Sequence, residues 1–189
     1  MNRAAFLARD EVISVDYTYV HRWEDFSFVR GAVNAMRQLV GAGYQLIVVT
    51  NRSGIARGYF SADQYHALTS RILKSLREQS IEIVDVHHWP HHPSGAIACW
   101  AVDCDCHKPA LGVTLRARAD YDLSLLEAIL IGDEPSDIAA CVGRAFLVRT
   151  DNQESQCELG DADAVFDSLA DCVASLLPSH IPLVAKATL

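Results

Sequence analysis

Short apolar runs alternate along the chain with longer segments of helical periodicity, and this alternation constrains the fold more than any other feature. The runs that predict strands lie at residues 4–7, 44–49, 81–86, 128–131, 145–148 and 164–166. Between them, helical spacing and capping residues predict helices at residues 29–40, 62–79, 111–119, 136–143 and 168–177, with Ser61 as an N-cap. This alternation predicts an α/β fold in which a mostly parallel sheet is covered on both faces.

Length and charge restrict the class of protein. A chain of 189 residues, 50% hydrophobic and 21% charged, suits one globular domain, which we place at residues 1–177, with 178–189 as a peripheral tail. The net charge of −8 argues against a general binder of nucleic acid or anionic membranes, because both need a basic face. Charge breaks the N-terminal apolar run, and no run approaches the ~18 apolar residues of a membrane span. We therefore expect a cytoplasmic monomer with reduced cysteines.

Polar residues follow three of the predicted strands. They are the pairs at positions 9–10 (Arg-Asp), 50–51 (Thr-Asn) and 132–133 (Gly-Asp). Because the carboxyl ends of parallel strands meet at one edge of a sheet, where open α/β folds bind ligands, these pairs predict a shared site. The alternative is that every strand must end in a polar turn.

Four segments resemble those of a known family. They are residues 5–14 (Ala-Phe-Leu-Ala-Arg-Asp-Glu-Val-Ile-Ser), 48–58 (Val-Val-Thr-Asn-Arg-Ser-Gly-Ile-Ala-Arg-Gly), 104–109 (Cys-Asp-Cys-His-Lys-Pro) and 131–137 (Ile-Gly-Asp-Glu-Pro-Ser-Asp). In this order they resemble the haloacid dehalogenase superfamily, and within it the heptose 1,7-bisphosphate and histidinol phosphatases. The resemblance covers residues 4–150 and implies a three-layer, Rossmann-like parallel sheet. The stretch between Thr50 and Lys108 leaves no room for a large cap domain.

The resemblance implies phosphoryl transfer through an aspartyl-phosphate. One Asp attacks phosphorus, a second Asp two residues later protonates the leaving oxygen, and Mg²⁺ and a Lys neutralise the charge on the transferring group. By position, the resemblance assigns the acid/base and a metal-facing carbonyl to Asp10, and the phosphate-binding hydroxyl to Thr50, with Asn51 beside it. It assigns the phosphate-clamping lysine to Lys108. The Mg²⁺ ligand that comes later in the chain is Asp133, and Asp137 supports that ligand.

The nucleophile position is occupied by Ala8. The family pattern Leu-Asp-Arg-Asp-Gly is Leu-Ala-Arg-Asp-Glu at residues 7–11. A methyl group can neither attack phosphorus nor bind a metal, and losing a covalent nucleophile costs on the order of 10⁶ in rate in a well-studied hydrolase. We therefore expect catalysis to be lost or nearly lost and Mg²⁺ binding to be weakened or absent. Attack by Asp10 or Glu11 is the alternative. Glu11 in place of Gly, and His107 where the heptose phosphatases favour Arg, indicate natural decay of the site.

A Cys/His loop is expected at residues 87–109. The family's zinc loop has the pattern Cys-x-His, a spacer and Cys-x-Cys, and the resemblance therefore assigns a structural zinc to His91, Cys104 and Cys106. Trp89 stands where the first Cys would be. The remaining candidates for the fourth donor are water, His87, His88, His92 and Cys99. Alternatively, the metal is lost and packing of Trp89 and Trp100 holds the loop.

Further residues are candidates for substrate binding. Arg52 and Arg57 follow Thr50 and are expected to meet a second phosphate, unless they belong to a solvated turn; His107 precedes the clamp. The aromatic residues of segment 16–28 either stack on a sugar or cover the sheet edge. The sequence thus predicts a degenerate sugar-phosphate phosphatase that binds a sugar phosphate or a protein partner. The alternatives are an active Mg²⁺-dependent phosphatase of heptose 1,7-bisphosphate in surface polysaccharide biosynthesis, and a purely interacting subunit.

Overall fold

A six-stranded parallel sheet forms the centre of the molecule. The computed structural model describes residues 2–102, 112–139, 143–149 and 162–177. The strands are β1 (Arg3–Ala8), β2 (Tyr44–Asn51), β3 (Ile83–Trp89), β4 (Ile129–Gly132), β5 (Arg144–Val148) and β6 (Ala164–Phe166). Their order across the sheet is β3-β2-β1-β4-β5-β6, and every neighbouring pair is parallel. The predicted α/β fold is confirmed.

Helices cover both faces of the sheet. They are α1 (Ala32–Gly41), α2 (Ala62–Arg77), α3 (Gly112–Tyr121), α4 (Pro135–Ala139) and α5 (Leu169–Leu176). Along β1, Ala5 and Leu7 belong to an apolar cluster shared with α1, α2 and α5, whereas Ala4 and Phe6 belong to a second cluster shared with α3 and α4. Because successive side chains of a strand point to opposite faces, this alternation builds a three-layer structure. None of the described helices is long and apolar enough to cross a membrane.

The start of α2 was predictable from local chemistry. The Ser61 hydroxyl accepts the N–H of Gln64 at 3.1 Å, and the Gln64 side chain accepts the N–H of Ser61 at 2.8 Å. This capping box satisfies two backbone donors that the first helical turn would otherwise leave unpaired. α1 begins at Ala32, later than the predicted residue 29, because Gly31 takes a left-handed conformation with φ 84°.

The predicted loop at residues 87–109 is wrong at its start. Strand β3 continues through His87, His88 and Trp89, which pair with the last three residues of β2. The pattern of apolar residues did not predict this extension, because backbone pairing with β2 holds it in the sheet and its histidine side chains are polar. Residues 103–111 and the predicted tail at 178–189 lie outside the described residues, as do residues 140–142 of the predicted helix at 136–143.

Candidate functional site

The carboxyl ends of β1, β2 and β4 surround a cavity of about 300 Å³, which we call the β1–β4 cavity. Ala8, Asp10, Thr50 and Asp133 all line it. It lies where the strand order reverses, since the chain winds outward from β1 to β3 and then returns to place β4 on the other side of β1. Open α/β sheets bind ligands at this kind of position. The structure therefore brings the three polar strand ends together, as the sequence predicted.

Asp10 is held between two buried guanidinium groups. Its Oδ1 lies 3.0 Å from Nε and 2.9 Å from Nη2 of Arg9. Its Oδ2 forms an ion pair with Nη2 of Arg52. The two arginine side chains are each 5% exposed, against 24% for Asp10. Both carboxylate oxygens are therefore engaged by the protein, and the Ser14 hydroxyl donates to Oδ1 over a longer 3.4 Å.

Arg52 also engages the predicted phosphate-binding hydroxyl. Its Nε donates to Oγ1 of Thr50 at 3.0 Å. Burial lowers the pKa of Arg52 well below its ordinary value, and the charge of Arg9 lowers it further, while the nearby Asp133 raises it. Burial also lowers the pKa of Arg9 to about 10. Two cations are thus concentrated at the floor of the cavity, and both pair with the same carboxylate.

The two alternative nucleophiles are placed unfavourably for attack. Ala8 is the last residue of β1 and is buried against the cavity, so the position itself contributes only a methyl group. Glu11 is not among the residues that line the cavity; its Oε1 instead accepts the N–H of Asp16 at 3.3 Å. Its backbone has φ 59°, a left-handed conformation that favours glycine. Asp10 would have to leave both arginines before it could attack.

The loop after β4 places two further carboxylates. Asp133 lines the cavity, and Asp137 is 2% exposed, with its Oδ2 accepting the N–H of Glu134 at 3.2 Å. Gly132 is required here, since a Cβ at this position would lie 2.4 Å from the Cβ of Asp137. This close approach supports the turn that carries Asp133.

The described residues do not fit a magnesium site. Mg²⁺ needs a near-octahedral set of oxygen ligands. Ala8 supplies none, and the carbonyl oxygen of Asp10, which accepts the N–H of Val12 at 2.8 Å, keeps one lone pair for a metal. Within the part of the chain that the structure describes, no group of three or more His, Cys, Asp or Glu side chains is placed to hold a metal. The buried charges of Arg9 and Arg52 oppose a cation beside them, whereas the carboxylates of Asp16, Asp133 and Glu134 farther along the cavity attract one.

The predicted zinc ligands are only partly described. His91 packs against Trp100 with ring centroids 5.5 Å apart, whereas Cys104 and Cys106 lie outside the described residues. The zinc site therefore stays a prediction. Of the candidates for the fourth ligand, His87 has its Nε2 3.2 Å from Oδ2 of Asp85.

His88 belongs to an aromatic cluster with Tyr65 and His66. Its ring lies 4.4 Å from that of Tyr65 and 5.3 Å from that of His66, centroid to centroid. Burial lowers the pKa of His88 to about 4, and the charges of His66 and Arg52 act in the same direction. The neutral imidazole is therefore the form that this packing favours.

The predicted substrate-binding residues divide into two groups. Asn51 and Arg52 line the cavity, and the Oδ1 of Asn51 is buried without a hydrogen-bond partner among the described residues. Arg57 does not line it; its Nη2 lies 2.8 Å from Nε2 of His92. His107 lies outside the described residues, as does the predicted clamp Lys108.

Residues 16–28, which we call the flap, close one side of the cavity. Asp16, Thr18 and Tyr19 line it, and the last two adopt left-handed conformations. The ring of Tyr19 meets that of Tyr59 edge-on, with centroids 4.6 Å apart. Three other flap aromatics pack on one another: Trp23 stacks on Phe26 at 5.4 Å, and Phe26 meets Phe28 edge-on at 4.9 Å. Both predicted roles of the segment, lining a site and covering the sheet, thus have residues that suit them.

Sequence reasoning missed the part that Arg9 takes in the site. Arg9 is 4% exposed and also donates from Nη2 to the carbonyl of Val20 at 3.3 Å, which ties the flap to the end of β1. The sequence feature that could have revealed this role is the position of Arg9 between a buried strand and Asp10. A cation buried at such a position needs an anionic partner, and the neighbouring carboxylate is the nearest one.

The chain is similar over almost its whole length to characterised bacterial proteins. It is 41% identical to the D-glycero-beta-D-manno-heptose-1,7-bisphosphate 7-phosphatase of Haemophilus influenzae over 175 residues, which cover 90% of this chain and 95% of the relative. The enzyme of the same name from Escherichia coli K12 is 40% identical over 183 residues, covering 95% and 96%. No family model matches the sequence.

A solved structure gives a similar result. The fold superposes with a TM-score of 0.78 on the D,D-heptose 1,7-bisphosphate phosphatase from B. bronchiseptica, which was crystallised with magnesium and phosphate. The two chains are 25% identical, and the match covers 94% of this chain and 98% of the other. The similarity therefore includes the complete sheet and its surrounding helices.

Proposed function

The chain belongs to the family of D-glycero-D-manno-heptose-1,7-bisphosphate 7-phosphatases, with a haloacid dehalogenase fold, and we propose that it is a degenerate member that binds a sugar phosphate but hydrolyses it extremely slowly or not at all. The observation that carries the proposal is Ala8 at the end of β1, beside an Asp10 whose two oxygens are both paired with arginine. The lining of the same cavity supports a role as a sugar-phosphate binder, and we propose that the protein acts in the cytoplasm.

Loss of turnover follows from three separate features of the site. The methyl group of Ala8 cannot form the covalent phosphoenzyme that divides the hydrolysis into two easier steps. The carboxylate of Asp10 would have to exchange its contacts with Arg9 and Arg52 for the leaving oxygen before it could protonate that oxygen. Mg²⁺, which would neutralise the transferring phosphate when bound, lacks a fitting set of ligands among the described residues.

Binding is supported by groups that remain in the cavity. The hydroxyl of Thr50, the amide of Asn51 and the guanidinium of Arg52 all line it and can contact phosphate oxygens. Lys108 is proposed as the clamp by its position in the family motif. The flap, with Tyr19 at the cavity wall, is a candidate surface for the sugar.

The second candidate function is an active phosphatase of heptose 1,7-bisphosphate. The observation in its favour is the identity of about 40% to enzymes of that name over almost the whole chain. This candidate requires a nucleophile other than position 8 and a metal site assembled with residues outside the described part.

Phosphate release from D-glycero-D-manno-heptose 1,7-bisphosphate and from histidinol phosphate, with Mg²⁺ present, separates the two candidates. We expect release at background for the natural chain and for Asp10→Asn alike, together with a higher melting temperature when the sugar phosphate is added, because a ligand of the folded state stabilises it. Mg²⁺-dependent release that Asp10→Asn abolishes would establish the active phosphatase. A sugar phosphate that leaves the melting temperature unchanged would contradict the binding role and favour the protein-partner alternative.

A further inference from the structure

We propose that the guanidinium of Arg52 takes the place of a divalent cation in the β1–β4 cavity, so that the site binds a phosphate group without metal. The proposal deepens the proposed function and rests on it, since it says how a non-hydrolysing site holds its ligand. It begins from the mismatch between the described residues and Mg²⁺.

Arg52 contacts the groups that a cation would be expected to organise. Its Nη2 pairs with Oδ2 of Asp10 and its Nε donates to Oγ1 of Thr50 at 3.0 Å. The charge of Asp133 acts on it as well. A single buried side chain thus compensates the carboxylates of β1 and of the β4 loop and holds the hydroxyl at the end of β2. A flexible surface arginine would not do this, but Arg52 is only 5% exposed.

A dication at the same point would be opposed by charge and by ligand supply together. Arg9 and Arg52 contribute two positive charges at the cavity floor, with side chains 5% exposed. Each of these charges would repel a divalent ion twice as strongly as a monovalent ion at the same distance. Ala8, meanwhile, removes one of the oxygen donors that would offset this repulsion.

Phosphate is the anion that these groups suit. A guanidinium presents five N–H donors in a plane that matches phosphate oxygens, and toward the described residues the side chain of Arg52 uses only Nε and Nη2. Nη1 of Arg9 is buried and has no hydrogen-bond partner among the described residues. Both guanidinium groups therefore keep N–H donors that a phosphate group can use.

The other carboxylates of the cavity limit the affinity. Asp137 is directed to the N–H of Glu134, but Asp16, Asp133 and Glu134 line the cavity and repel a phosphate dianion. We therefore expect weak binding of inorganic phosphate, with a dissociation constant on the order of 1 mM. Contacts to the sugar would add to this affinity in a sugar phosphate.

The test measures the melting temperature with inorganic phosphate in EDTA, against sodium chloride of equal ionic strength. At about 10 mM phosphate we expect an increase of roughly 3–6 °C for the natural chain. Adding Mg²⁺ in place of EDTA should leave this increase unchanged, and Mg²⁺ alone should shift the melting temperature by less than about 1 °C. Arg52→Gln should remove the response to phosphate and Arg52→Lys should keep part of it. Arg77→Gln, which alters an exposed arginine paired with Glu82, should keep all of it.

A second variant guards against misfolding of Arg52→Gln, whose urea midpoint is measured alongside. The double variant Ala8→Asp/Arg52→Gln restores a carboxylate and removes the competing cation, so we expect it to gain stabilisation by Mg²⁺ alone, which the natural chain lacks. Phosphate binding that needs Mg²⁺, a phosphate response that persists in Arg52→Gln, or Mg²⁺ stabilising the natural chain would each overturn the inference. The first of these would leave the proposed function standing, whereas sugar-phosphate hydrolysis by the natural chain would refute the proposed function itself.

Discussion

Replacing Asp10 by asparagine should destabilise the fold by about 3 kcal/mol, because one carboxylate pairs with two buried guanidinium groups. Removing one partner of a buried ion pair costs about 3–5 kcal/mol, whereas an exposed pair contributes about 0–1 kcal/mol. Arg9 and Arg52 are each 5% exposed, which places them in the first class, but Asp10 is 24% exposed and solvent softens its loss. The low end of the buried range is therefore expected. For a chain of this length it corresponds to a melting temperature lower by roughly 6–12 °C.

Urea denaturation at pH 7, followed by circular dichroism, measures this loss as a shift of the midpoint at constant slope. Asp25→Asn is the matched control, because Asp25 pairs with Arg22 on the surface at 2.7 Å, and it should change the stability by less than about 1 kcal/mol. The double variant Asp10→Asn/Arg52→Gln should recover part of the loss, since it removes one of the stranded cations. A loss below about 1 kcal/mol for Asp10→Asn, or strict additivity in the double variant, would refute the argument that the two buried cations depend on this carboxylate.

Two further predictions concern backbone strain and pH. Glu11→Gly should stabilise the chain by roughly 0.5–1 kcal/mol in the same assay, because glycine relieves the left-handed strain at φ 59°. Glu11→Asn should give a smaller gain. If neither variant is more stable than the natural chain, the turn is unstrained. For His88, burial holds the folded-state pKa at about 4, below the ordinary 6.5, so between these pH values the unfolded chain binds more protons and stability falls as the pH is lowered. His88→Gln should reduce this loss by about 1 kcal/mol, a value discounted for partial exposure. Equal slopes in the natural chain and the variant would contradict the assignment.

The sheet and its connections followed from local patterns. The capping box at Ser61 and Gln64 involves residues three positions apart, so its chemistry is visible in the sequence. The extension of β3 through His87 and His88 was not visible, because these polar side chains sit on a strand that is held by backbone pairing with β2. A pattern of apolar residues indicates which side chains are buried. It therefore does not predict the part of a strand whose side chains are polar.

The convergence of the polar strand ends was predictable for the same reason, but their contacts were not. Arg52 follows Thr50 in sequence, which suggested a cation facing a ligand. In the fold it is buried and pairs with Asp10 at the end of a different strand. Arg57, predicted beside it, meets His92 of the loop after β3. A charged side chain pairs with an opposite charge that lies near it in the folded chain. The sequence reveals such proximity only for residues that are close to one another in the chain.

Position 8 contributes no charge to the cavity and position 52 contributes a buried positive charge, and this bears on how catalysis could be introduced. A carboxylate restored at position 8 would be introduced close to a buried guanidinium whose present anionic partner is Asp10. The new carboxylate and Asp10 would then compete for Arg52, and an ion-paired carboxylate is a poorer nucleophile because its charge is already neutralised. Restoring position 8 alone therefore rebuilds the residue without rebuilding its reactivity. Only removal of the charge at position 52 in the same chain leaves the carboxylate available to a metal or to phosphorus.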